Sequence, residues 1–242
     1  MSKTGKTILR FFAVTAAFIL FRELVDRLGW KLALALDNGV LDPDGVFLAV
    51  SIHHVVYVLC TLPVCFALHK AAGLEFPLKP RRDDRSARFV ARLCLVFLVY
   101  NLGWYLIVGV LERAIVPVDY ALTAVNVAGT LGFQLFLSGT GEELLCRPMP
   151  ITCLRAACGE QRKSTDSVIL LITALLFAAG HIRVSAPLST QWYNLLYVFV
   201  HGMIYGMVYL RAKSVIYPMI LHGVSNVLSV GGCYLYMLLC NP

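Results

Sequence analysis

The sequence predicts an all-α fold: a polytopic transmembrane helix bundle of about seven to eight spans around a polar cavity within the membrane. Three observations carry that prediction. Hydrophobic residues make up 59% of the 242 positions and charged residues only 14%, against roughly 45–50% and 25% in soluble domains. Mean hydropathy is +0.74. The apolar residues gather in runs near the ~20 residues that cross a hydrocarbon core. Together these exclude a disordered chain and a compact secreted scaffold.

The runs fall at roughly 7–25, 46–69, 89–111, 120–145, 167–182, 191–210 and 215–239. The first follows Lys3, Lys6 and Arg10, as a signal peptide would. No small-residue cleavage site follows, and Arg22, Glu23, Asp26 and Arg27 come next, so it reads as a retained span. Residues 120–157 are mostly apolar and too long for one upright helix. Gly129, Gly141, Pro148 and Pro150 mark where it can tilt or break.

Placing the N-terminus in the cytoplasm and alternating sides puts 16 of the 21 Lys and Arg residues inside. Asp37, Asp42 and Asp44 then fall outside. The cluster Lys79-Pro80-Arg81-Arg82…Arg85…Arg88 reads as a stop-transfer flank attracted to anionic lipid. The net charge of +7 is therefore a topology signal: the lipid bilayer is a partner and nucleic acid is not. The eight cysteines form no CxxC pair and no zinc-knuckle spacing, and read as reduced, structural residues.

Ionisable groups inside apolar runs cost at least ~2.5–3.5 kcal/mol each and usually face a cavity or a partner. Three clusters stand out. In Gly141-Glu142-Glu143-Leu144-Leu145-Cys146-Arg147, Glu143 and Arg147 are four apart, share a helix face and read as a staple between helices. Glu142 points about 100° away, lacks that partner and reads as a candidate base. In Phe177-Ala178-Ala179-Gly180-His181, the histidine counts on its own as an edge residue and gains meaning only beside a carboxylate. Glu142 and His181 lie at similar depths from the loop near 158–166, so adjacent helices would carry them at one level. In His222-Gly223-Val224-Ser225-Asn226, imidazole and amide share a face; they either donate to a developing oxyanion or glue helices together. His53 and His54 read as ordinary interfacial histidines, and His201 as a packing residue. HExxH, a Walker A sequence, a dinucleotide fingerprint and a rhomboid-like serine site are all missing from the sequence. Paired broken helices, which would suggest transport, are not seen.

These ordered motifs, Glu142-Glu143-xxx-Arg147, Phe177-xxx-His181 and His222-xxx-Asn226, resemble those of the CPBP (Abi) family of CAAX-protease and bacteriocin-processing intramembrane endopeptidases. The segment from Gly202 through Tyr209-Leu210-Arg211, Ser214 and Pro218 is similar as well. The likeness covers about 135–230; Pro148 stands where the family usually has glycine. It implies a CPBP-like catalytic transmembrane core over 116–242, with N-terminal spans of unassigned role over 1–115. It further implies that Glu142 and His181 activate a water that attacks a peptide carbonyl. His222 and Asn226 would stabilise the oxyanion, and Glu143 and Arg147 would support the helix.

The resulting expectation is an intramembrane endopeptidase, multi-pass in a prokaryotic plasma membrane with a cytoplasmic N-terminus. Its substrate would be a peptide or protein: a prenylated chain, a bacteriocin leader or a regulatory peptide. No cofactor is favoured. A zinc ion held by Glu142, His181 and His222 is the alternative chemistry. The alternative function is a non-catalytic bacteriocin-immunity or assembly factor that keeps the same residues as a polar core. A proton pathway through Glu142 and His181 is a third reading.

Overall fold

Apolar side chains cover most of the chain, so every backbone N–H and C=O at membrane depth must be satisfied within its own helix. The computed structural model describes residues 2–36, 39–79, 84–113, 115–159, 163–183 and 185–240. Asp37, Pro80, Arg81, Arg82 and Arg162, which entered the topology reading, lie outside the described residues, as do the side chains of Lys3 and Lys163. The described residues form nine α-helices with two π-helical stretches and no strand. They are α1 (Lys3–Leu36), α2 (Leu48–Ala72), α3 (Asp84–Trp104), α4 (Ala124–Phe133), α5 (Gly139–Cys146), α6 (Pro148–Cys158), α7 (Lys163–Ala179), α8 (Leu188–Ala212) and α9 (Ile216–Cys240). The π-helical stretches are Tyr105–Leu111, which continues α3, and Gln134–Ser138, which joins α4 to α5.

Among the described residues, four stretches are long and apolar enough to cross a membrane: Leu48–Ala72, Asp84–Leu111, Leu188–Ala212 and Ile216–Cys240. They correspond to the expected runs 46–69, 89–111, 191–210 and 215–239. The other three expected spans do not meet that measure, for distinct reasons. Helix α1 is long, but Arg22, Glu23, Asp26 and Arg27 interrupt its apolar run. Helix α7 has 17 residues, about 26 Å at 1.5 Å per residue, short of the ~30 Å hydrocarbon core. The 120–145 run is broken into α4, a π-helical segment and α5.

The anticipated break near Pro148 is present and sharp. Arg147 has φ −115° and ψ −68° between α5 and α6. Pro148 and Pro150 then sit in the first turn of α6, where a missing N–H costs nothing. Just upstream, the π-helical Gln134–Ser138 shifts the register of the helix leading into Glu142.

Lipid tails are as apolar as leucine, so helices in a membrane associate through close packing and not through hydrophobic burial. Two glycines set the decisive approaches. A Cβ on Gly141 would lie 2.9 Å from the His54 carbonyl oxygen, so its absence lets α5 seat directly on α2. A Cβ on Gly223 would lie 2.5 Å from the Leu135 carbonyl oxygen, so α9 meets the π-helical segment backbone to backbone. Helix α1 packs on α2 and α6, and α7 on α8. Arg22 of α1 donates from Nη1 to the Leu176 carbonyl of α7 at 3.2 Å.

Asp42, in the loop before α2, is almost fully buried. Its carboxylate accepts from the N–H groups of Val46 (2.9 Å), Phe47 (2.6 Å) and Leu48 (2.7 Å), which caps α2. Burial alone would raise this carboxyl, but the N–H bonds from Leu48, Val46, Phe47 and Gly45 outweigh it and hold it below the usual carboxylate range. A depressed folded-state pKa adds stability above the unfolded value, about 3.9, that is lost as pH falls through the folded value. Asp42→Ala is expected to destabilise the detergent-solubilised protein by about 1–2 kcal/mol near neutral pH. Thermal unfolding should show that deficit shrinking as the pH drops below about 4.

Candidate active site

The site is built on a buried ion pair. Arg147 donates from Nε to Glu143 Oε2 at 2.8 Å and from Nη2 to Oε1 at 3.3 Å, and neither side chain is exposed at all. The i, i+4 spacing on α5 makes this possible even though the helix ends at Arg147. The guanidinium also lies over the Phe177 ring of α7, 4.8 Å from its centroid. Glu143 Oε1 accepts from His222 Nδ1 of α9 at 3.1 Å. One carboxylate therefore holds its own helix end and orients a histidine on another helix. The staple expected between Glu143 and Arg147 is present, and it reaches further than the sequence suggested.

Glu142 faces the other way, into a cavity of about 320 Å³ whose lining includes His54, Ser138, His181, His201, His222 and Asn226. Its Oε2 is buried and has no hydrogen-bond partner among the described residues. His181 Nε2 and His222 Nε2 each lie 4.0 Å from that atom. His181 Nδ1 bonds the Phe177 carbonyl at 3.0 Å, and His222 Nδ1 is bound to Glu143. Both imidazoles thus have Nδ1 occupied and Nε2 turned toward Glu142. Tyr205 stacks on His222 at 4.6 Å and 18°, which fixes the ring plane.

Asn226 lines the same cavity, but its amide nitrogen already donates to Gln134 Oε1 (2.8 Å) and Ser138 Oγ (3.0 Å). An oxyanion would have to take over one of those donors. His201 also lines the cavity; it stacks on Phe97 at 5.0 Å and bonds the Tyr197 carbonyl through Nδ1. The packing role read from the sequence therefore comes with access to the site.

Residues 124–228 match the family of Rce1-like type II CAAX prenyl endopeptidases. The resemblance to CPBP proteases is borne out over this segment, which contains all three motifs. No curated protein and no solved structure matches the chain.

All six residues singled out as site or support, Glu142, Glu143, Arg147, His181, His222 and Asn226, lie in this one neighbourhood. The reading of His54 needs correcting. It is not a surface histidine: its Nε2 lies 3.1 Å from Glu142 Oε1. Its neighbour His53 is buried and bonds Asp26 Oδ1 at 3.1 Å. The missed signal was a histidine pair inside an apolar run, but the sequence offered no motif to say which carboxylate it meets.

The zinc alternative can be tested on the donor set. Among the described residues, no three His, Cys, Asp or Glu side chains are placed to hold a metal ion together. Glu142 Oε1 is taken by His54, and a tetrahedral zinc with bonds of about 2.0–2.2 Å would need its ligands closer to one another than 4.0 Å. As placed, the residues do not fit a zinc.

Breaking the ion pair leaves a buried charge alone. Arg147→Met is expected to cost about 3–5 kcal/mol. The double replacement Glu143→Leu with Arg147→Met should unfold at a higher temperature than Arg147→Met alone, as thermal unfolding in detergent would show.

Proposed function

We propose that this chain is an intramembrane endopeptidase that hydrolyses a peptide bond in a membrane-associated or lipidated peptide or protein through a glutamate-activated water. The observation that carries this reading is the unpartnered, buried Oε2 of Glu142, 4.0 Å from the Nε2 of both His181 and His222. A gap of that size is bridged by a water with two hydrogen bonds and leaves room for a carbonyl beside it. The match to CAAX-type proteases supports the same chemistry.

In this reading Glu142 takes a proton from the water as its oxygen attacks the carbonyl carbon, and His181 holds the water in line. His222 donates to the oxyanion from Nε2 as an imidazolium, since Nδ1–H is already given to Glu143. Asn226 joins it by exchanging one of its present bonds to Gln134 or Ser138. Glu142 then returns the proton to the leaving nitrogen. The N-terminus lies in the cytoplasm on the charge distribution, and the chain is an integral protein of a prokaryotic plasma membrane. Prenylated proteins and leader peptides fit as substrates because the cavity lies among membrane-crossing helices.

Neo-N-termini in membranes carrying wild type, compared with membranes carrying Glu142→Gln, should reveal a set of cleavages that the variant lacks. Glu142→Gln and His181→Ala are each expected to abolish those cleavages while the protein still inserts. A phenotype that survives Glu142→Gln but is lost with the Glu143–Arg147 pair would instead support the non-catalytic polar-core reading. Activity that survives chelation and metal-free purification is the expected result for water activated by Glu142 alone.

A further inference from the structure

The family match begins at residue 124, yet a hydrogen bond to Glu142 comes from α2, well before it. His54 Nε2 lies 3.1 Å from Glu142 Oε1. The state of that imidazole can be worked out from its other side. His54 Nδ1 bonds the Val50 carbonyl at 2.8 Å, so Nδ1 carries a hydrogen. His53 Nδ1 stands 3.5 Å from the same atom, and His53 Nε2 bonds Asp26 Oδ1, which also accepts from the Tyr57 hydroxyl at 2.8 Å. His54 is thus locked in one orientation with Nε2 aimed at the carboxylate. Two bare lone pairs at 3.1 Å would repel, so a hydrogen occupies the gap. Glu142 must be ionised to take the water's proton, so that hydrogen sits on Nε2 and is donated to the carboxylate. Oε1 is thereby committed to α2, and Oε2 alone is left facing His181 and His222.

We infer that His54 is a positioning residue for the hydrolysis: its hydrogen bond pins one oxygen of Glu142 so that the other is presented to the attacking water. This rests on the proposed catalytic role of Glu142. The step balances on the pinned carboxylate. A water O–H bond breaks, its proton goes to Oε2, and its oxygen bonds the carbonyl carbon while the carbonyl π pair moves onto oxygen. When the intermediate collapses, the C–N bond breaks and the Oε2 proton goes to the leaving nitrogen. His54 ends as it began. Without it, the carboxyl group turns about its last torsion, which is broad and roughly two-fold, and Oε2 leaves the line of attack.

His54 also has an aromatic environment: its ring lies 4.9 Å from that of Phe133 and 5.4 Å from that of Tyr57. A purely structural role would rest on those contacts. Two substitutions separate the roles. His54→Phe keeps an aromatic ring and loses the hydrogen bond; His54→Gln loses the ring and can still donate an N–H at the same reach. Both are compared with wild type in the full-length protein, reconstituted in liposomes. The substrate is a synthetic peptide spanning the strongest cleavage site lost in Glu142→Gln membranes. His54→Phe is expected to lower kcat roughly 10–100-fold, the range for a hydrogen bond to a charged group, with KM within about threefold. His54→Gln should retain most of kcat. His54→Leu replaces the Phe variant if that one fails to insert. The reverse order, with Phe active and Gln inactive, overturns the inference, as do equal rates or equal losses in the two variants. If wild type and Glu142→Gln membranes show the same neo-N-termini, the proteolytic reading itself fails and the inference falls with it.

Discussion

A carboxylate and a guanidinium held together with no exposure to solvent constrain everything around them. Charges taken out of water must be paired and hydrogen-bonded or the helix carrying them will not stay buried. Glu143 and Arg147 pair through Nε and Nη2, while Arg147 Nη1 is buried without a hydrogen-bond partner among the described residues, and the pair ties three helices. The pair ends α5, the guanidinium rests on Phe177 of α7, and Glu143 fixes His222 of α9. Since consecutive residues on a helix point about 100° apart, anchoring Glu143 also determines where Glu142 must look. Its carboxylate is turned away from the cation and toward the cavity, unneutralised by the neighbouring arginine.

The second constraint is proximity without hydrophobic pressure. Membrane helices close on one another where side chains are small. Gly141 lets α5 touch the backbone of α2 at His54, and Gly223 lets α9 touch the π-helical segment at Leu135. Both contacts sit one residue from a site residue: Gly141 precedes Glu142, and Gly223 follows His222. The smallest residues of the motifs thus act beside the most reactive ones. They bring Glu142 between an imidazole from α2 and one from α9. A side chain added at either glycine would push apart the groups that the site needs within hydrogen-bond or single-water reach.

The N-terminal half also changes meaning in this light. Helix α1 departs from an ordinary apolar span because it carries Arg22 and Asp26, and both are used inside the fold. Arg22 holds the C-terminal turn of α7 close to His181, and Asp26 takes hydrogen bonds from His53 and Tyr57. Charges that disqualify α1 as a simple membrane crossing are thus polar contacts behind the site.

Much was legible in the linear chain. The all-helical class, four of the candidate spans, the break at Pro148 and the Glu143–Arg147 pair all follow from local properties: run length, a missing N–H, and the i, i+4 period of a helix. The grouping of Glu142, His181, His222 and Asn226 could be anticipated from motif order, and the split of 120–157 from its length. What tertiary structure decided depends on pairings between distant segments. The partner of His54 is 88 positions away, and no periodicity within α2 encodes a contact to α5. The same holds for Asn226, whose amide is engaged by Gln134 and Ser138 across a helix interface. A sequence states which groups are costly to bury, because that cost belongs to each side chain alone. Which group meets which is set by how closely the helices approach, and that is a property of their packing.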